Sequence, residues 1–227
     1  MAEAVGIIKI ITNAGVANVF SAGTLTFQEF AMREPLPLST IQDAVLEFLR
    51  DRDDAVLFGA QAVNAYVGQS RMTQVIDLMS SRAAELAEEL REYLNQKFHI
   101  AVRIREVGEG RGYRLFQVQK SGNRHLVDFR SVEKLPSSRL IAQVLVMEPA
   151  QLIASKVVSY HQRRGTPKSG TDWRDLAVLL LTFPELKRDP GIVTDLLQTT
   201  GDNPNVMAVW QELVATAIES ADEDDEF

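Results

Sequence analysis

Ile41, Ala44, Val45, Phe48 and Leu49 recur at i, i+3, i+4, i+7 and i+8, a spacing that predicts an amphipathic helix entered through a capping-box-like pair, Thr40 and Asp43. The apolar run "AVLFG" at 55–59 ends in glycine and predicts a short buried strand, and "AQAVNAYV" turns into a helix. "TQVIDLMS" at 73–80 is the next strand, and Leu86, Leu90, Tyr93 and Leu94 give a second amphipathic helix within 82–97. Three β-rich runs follow at 100–107, 113–120 and 124–130, joined by the hairpin signals "GEGRG" and "SGN". "RLIAQVLVM" at 139–147 predicts one more strand, after which helices are expected at 149–163, 172–182, 190–199 and 204–221. This order implies an α+β fold: a small mixed sheet flanked by helices, followed by a C-terminal helical subdomain. The expected division is an N-terminal extension and linker (1–36), a core (37–147), the helical subdomain (148–221) and a tail (222–227).

At 227 residues and 45% hydrophobic content the chain is long enough to bury a sizeable core. No run of 18 apolar residues and no basic leader is found, and there is no cysteine, so we expect a cytoplasmic protein with neither disulfides nor thiolate metal sites. The net charge of −7 argues against nucleic acid only until its position is considered. The last stretch, "ESADEDDEF", holds six acids; taking those from the 31 leaves 25 acids against 24 bases. Between Lys97 and Arg139 ten basic residues face four acids, a local balance suited to phosphates or, equally, to solvated strand edges and turns.

The stretch "GQSRMTQVIDLMSS", Gly68 to Ser81, carries the most chemistry. Two aspartates at i and i+2 of a strand share one face, where they can hold a divalent ion against a nucleotide's phosphates. Here the i+2 position is Asp77, but the i position is Val75. Read alone, "VID" is first of all an ordinary buried strand with a surface-pointing acid at its end. Its surroundings change the reading. "LFGAQAVNAYVGQSRMTQVIDLMS" resembles the first motif of the nucleotidyltransferase superfamily, in the branch known as the AbiEii toxin family of type IV toxin–antitoxin systems. Gly59, Ala62, Arg71, Thr73 and Asp77 fall on the family pattern in register; Ala60, in place of a second Gly or Ser, and Val75, in place of Asp, depart from it. Downstream, "HLVDFR" resembles the strand supplying the third carboxylate, which would be Asp128. "PAQLIASKVVSYHQRRG" resembles the helix whose lysine contacts phosphates, here Lys156, and "GTDWRDLAVLL" resembles an element of the helical subdomain, with Asp172 and Asp175 on matching positions. The resemblance covers roughly 39–183.

The resemblance implies catalytic and metal-holding roles for Asp77 and Asp128, with Mg²⁺ as the ion. It implies nucleotide binding by Gly59, Ala60, Arg71, Thr73, Lys156, Asp172 and Asp175. It implies an NTP as substrate, transfer of a nucleoside monophosphate to an RNA (such as a tRNA end) or protein hydroxyl, and a cognate antitoxin as partner. The residues themselves leave other readings open. Gly59 also suits a plain tight turn. Lys156, at the edge of an apolar helix face, snorkels or meets a ligand. Asp172 and Asp175 also favour a helix dipole. His99, His125 and His161 share no metal-ligand spacing and read as structural or exposed. Val75 weighs towards a weak enzyme or a non-catalytic protein that binds a nucleotide, RNA or partner with the same fold.

Overall fold

The computed structural model describes residues 36–68, 71–120, 122–201 and 203–219. The expected N-terminal extension, apart from Leu36, and the acidic tail lie outside them. Helix α1 (Leu38–Leu49) buries Ile41, Ala44, Val45 and Leu49, the stripe the periodicity marks. It starts earlier than the capping-box reading placed it. Pro37 presets the entry backbone and no side chain caps the end, so Thr40 and Asp43 lie within the helix.

Strand β1 (Val56–Phe58) runs directly into α2 (Gly59–Tyr66), and β2 (Ile76–Ser80) follows. Helix α3 (Ala83–Phe98) buries Ala83, Leu86, Ala87, Leu90 and Leu94 against β2 and the next three strands. Each fully buried leucine contributes about 2 kcal/mol by its removal from water. It stops at His99, whose left-handed backbone (φ 52°) turns the chain and donates its N–H to Asn95 O at 2.7 Å. β3 (Val102–Val107), β4 (Gly112–Gln119) and β5 (Gly122–Ser131) form the expected meander. The single strand expected over 139–147 is instead two, β6 (Ser138–Ile141) and β7 (Val144–Met147). Ala142 and Gln143 both take positive φ (47° and 67°), the geometry of a two-residue hairpin turn, without the Asn or Gly that signals it in sequence.

These strands make one seven-stranded mixed sheet in the order β3-β4-β5-β2-β1-β7-β6. The meander ends antiparallel, but β2 pairs parallel with β5 and β1 parallel with β7. Helices α4 (Pro149–Gln162), α5 (Pro167–Thr182), α6 (Ile192–Thr200) and α7 (Pro204–Ala215) form the helical lobe. Helix α5 begins before the expected residue 172. Pro167 is a favourable first helical residue, while the polar "KSGT" hides that turn from periodicity. Helix α7 ends at Ala215, before the expected 221. Fully buried Trp210 donates its Nε1–H to Thr194 Oγ1 at 3.1 Å, which locks α7 onto α6. Helix α2 touches β1, β2 and β7 on one side and α4 and α5 on the other, so it hinges sheet to lobe.

Candidate active site

The parallel pairing of β2 with β5 sets Asp77 opposite Asp128, and the antiparallel pairing of β1 with β2 sets Phe58 opposite Asp77. Directly opposed residues share a sheet face. The two carboxylates, 51 positions apart in the chain, therefore stand side by side. The same row continues through Arg114 of β4 to Arg105 of the edge strand β3.

Gly59 closes one end of this row. Its φ is +68°, and a Cβ on it would lie 2.2 Å from Asp77 Oδ2, so only glycine fits both the backbone and the carboxylate. It is the first residue of α2, whose end has no side-chain cap, so the N–H groups of the first turn are open to an anion. Buried Ala60 is next in that turn. Before β2, Asn64 clamps the backbone of Arg71 from both sides, accepting its N–H at 3.0 Å and donating to its carbonyl at 2.8 Å. Thr73 donates its hydroxyl to Val75 O at 3.0 Å and accepts a bond on its own carbonyl from Gln42.

Facing the sheet, α4 and α5 carry an ion-pair network. Asp175, with no solvent exposure, accepts two bonds from Arg71 (2.8 and 2.9 Å) and one from Lys156 Nζ (2.6 Å). Asp172, 2% exposed, accepts from Arg163 at 2.9 Å and lies 3.6 Å from Lys156. Burial works to raise the Asp175 carboxyl, but Arg71 and Lys156 outweigh it and hold it below the usual range. Asp175 thus stands behind Arg71 and Lys156 and holds both.

Gly59, Ala60, Arg71, Thr73, Val75, Asp77, Asp128, Lys156 and Asp172 line a single cleft of about 710 Å³ between the sheet and the lobe. Asp175 lies outside its lining. The cleft also takes in five basic side chains that the sequence does not mark as site residues: Arg114 and Arg130 of the basic segment, His125, Arg163 and Lys168. Arg114 Nε donates to Asp128 Oδ1 at 2.9 Å, and His125 Nε2, its ring stacked on Phe116 at 4.7 Å, meets the same oxygen at 3.1 Å. His125 therefore belongs to the site, although it read as a bystander. The signal was its place three residues before Asp128, brought onto the same sheet face only by a bulge in β5 at Leu126, opposite the Leu115–Phe116 step of β4. A second cavity of about 510 Å³ adjoins the first across Phe58, Asp77, Arg114, Asp128 and Arg130, and adds Arg111 and Tyr113.

Asp77 has no ion-pair partner among the described residues. Burial, and then the charge of Asp128, push its carboxyl up to about 6, against opposing pulls from Lys156, Arg130 and Arg163. A half-buried, unpaired carboxylate beside a second one is where a divalent cation relieves the most repulsion, and these two fit one hydrated ion. No group of three His, Asp or Glu side chains able to hold a metal occurs among the described residues.

A family model, the nucleotidyl transferase AbiEii toxin of type IV toxin–antitoxin systems, matches residues 43–226. The chain belongs to the AbiEii nucleotidyltransferase toxin family. The match extends past the segment of sequence resemblance, through α6 and α7, so residues 184–226 are family sequence as well. Among solved structures, this AbiEii chain is similar to the Megavirus polyadenylate synthase at 15% identity and a TM-score of 0.55, over 84% of this chain and 38% of that one. It thus spans well under half of that viral enzyme, and the likeness is one of fold. Lower TM-scores relate it to JHP933 from Helicobacter pylori (0.48; 14% identity; 78% and 90% covered). ANT(2″)-Ia, solved in complex with adenylyl-2″-tobramycin, gives 0.47 at 13% identity, with 72% and 95% covered. Comparison with curated proteins found no match. No helix among the described residues is long and apolar enough to cross a membrane.

Proposed function

We propose that the cleft binds a nucleoside triphosphate and hands its monophosphate to a hydroxyl of RNA, at a rate limited by Val75. The observation that carries this reading is the opposition, across one cleft, of the in-register pair Asp77 and Asp128 to the cations Arg71 and Lys156. A triphosphate needs both: cations for its outer phosphates, and carboxylates to steady a metal at the reacting one.

The first-turn N–H groups of α2 take phosphate oxygens, and the bare Cα of Gly59 lets them approach. Lys156 and Arg71, held by Asp175, meet the outer phosphates without having to be gathered when the ligand arrives. Asp77 and Asp128 would hold a Mg²⁺ ion, which when bound neutralises charge developing on the phosphoryl oxygens. The acceptor oxygen bonds to the α-phosphorus as the bond to pyrophosphate breaks, and the hydroxyl proton passes to solvent.

RNA is favoured over a protein acceptor by the sheet. Arg105 and Arg114 lie in the row that ends at the carboxylates, Arg103 pairs with Phe116 one step along, and Phe116 stacks with His125. Arginines interleaved with aromatic rings suit a single strand, whose bases stack while its phosphates pair. These residues lie within the basic segment 97–139. A tRNA end as acceptor and a cognate antitoxin as partner follow from the family reading, and the cytoplasm as compartment from the cysteine-free sequence. Val75 favours a second reading, in which the same cleft holds a nucleotide or RNA without turnover.

The test is transfer of label from each α-labelled NTP to total RNA and to total protein. Labelled RNA that is lost with Asp77→Asn supports the first reading. Nucleotide binding with no labelled product supports the second.

A further inference from the structure

We propose that the cleft takes one divalent ion, between Asp77 and Asp128, and that Arg114 stands where a second ion would sit. The inference rests on the nucleotide reading above and does not require turnover.

Paired ions in phosphoryl-transfer sites lie about 3.5–4 Å apart and share carboxylate ligands. This cleft cannot supply such a set, because its third carboxylate, Asp172 on the helical wall, is bonded to Arg163 and belongs to no ligand cluster with the other two. Its sheet wall offers two carboxylates in register, and one oxygen of Asp128 is already bonded to Arg114 and His125. The position two residues before Asp77 also faces the cleft, but it carries the isopropyl group of Val75, which has no lone pair to give. What remains is Asp77, the other oxygen of Asp128, water and the nucleotide's own phosphates, enough for one Mg²⁺-like ion that keeps part of its hydration.

The charge of the missing ion is supplied by side chains. The Arg114 guanidinium sits on Asp128 and lines both cavities, between the nucleotide cleft and the neighbouring one. It is fixed to the carboxylate as a metal would be, but brings one positive charge and directional N–H donors. Arg130, its guanidinium 5.0 Å from the Phe58 ring, and Lys168 line the cleft with no carboxylate partner among the described residues, so their charge is available to a polyanion. The bland reading of Arg114 is an exposed ion pair of little consequence. It predicts no effect on ligand binding and no bearing on metal count.

Equilibrium dialysis of the full chain against Mn²⁺ and a non-hydrolysable NTP analogue, counting metal and nucleotide together, separates these. The expected result is one Mn²⁺ per bound nucleotide. Asp77→Asn should weaken Mn²⁺ retention about tenfold or more, since it removes an ion ligand. Arg114→Ala should keep the count at one while weakening nucleotide binding about tenfold. The double variant Val75→Asp/Arg114→Ala should hold two. Two ions in the unaltered chain, Mn²⁺ retention indifferent to Asp77→Asn, or nucleotide binding indifferent to Arg114→Ala would each overturn the proposal while leaving the nucleotide reading intact. Failure to retain any nucleotide would remove that reading and this inference with it.

Discussion

The two walls of the cleft are built on opposite electrostatic terms. On the helical wall every carboxylate is matched: Asp172 and Asp175 are buried and bonded to Arg163, Lys156 and Arg71. On the sheet wall Asp77 stands half-buried without a cation partner, pressed against Asp128. The helical wall is complete before any ligand arrives and serves to hold cations still. The sheet wall carries repulsion that only a ligand or a proton relieves, the usual cost of a site kept ready for charge chemistry.

Breaking the helical wall should have the largest effect. Asp175→Ala leaves Arg71 and Lys156 facing each other without their shared partner, and should cost about 3–5 kcal/mol of stability, read from denaturant unfolding. Asp175→Asn, which keeps the shape, should fold better yet still lose nucleotide affinity.

Completing the sheet wall comes next. Val75→Asp adds a carboxylate to the cleft lining and should raise transfer from α-labelled NTP by roughly 100-fold at modest cost to folding. A variant that melts early with no gain in metal binding would mean that position 75 belongs to the core.

Relieving the sheet wall should be smaller and pH-dependent. The Asp77 carboxyl rises from 3.8 to about 6 on folding, so the folded chain holds that proton more tightly than the unfolded one. Its favourable contribution is full below 3.8 and lost as pH rises through about 6. Asp77→Asn should therefore stabilise the protein by about 1–3 kcal/mol near pH 8 and by almost nothing near pH 3.5. A pH-independent effect would contradict the repulsion.

The smallest effect belongs to the rim. Arg103→Gln and Arg105→Gln should each weaken RNA binding a few-fold and lower the salt dependence by about one phosphate contact, with nucleotide affinity unchanged.

The helices and strands were legible because their apolar spacing is strong. Leu86, Leu90 and Leu94 mark α3 with no help from structure, and all three are fully buried. The β6–β7 hairpin was hidden because Ala142 and Gln143 adopt a turn that other residues usually signal. Asp77, Asp128, Arg71 and Lys156 could be singled out from a motif pattern, and they meet in one cleft. Arg114 and His125 could not, because they enter through register: their neighbour Asp128 is 14 and three residues away, across a hairpin and a bulge that sequence spacing does not encode. Asp172 and Asp175 were legible as positions but not as roles, since only the fold shows that Asp175 holds cations from behind the cleft.

Both walls should close on one nucleoside triphosphate. Calorimetric titration with each NTP in Mg²⁺, on the unaltered chain and on Lys156→Ala, tests it most directly. Saturable one-to-one binding of at least one NTP is expected, weakened about tenfold or more by the substitution. Absence of binding by any NTP, or binding that Lys156→Ala leaves unchanged, would contradict it.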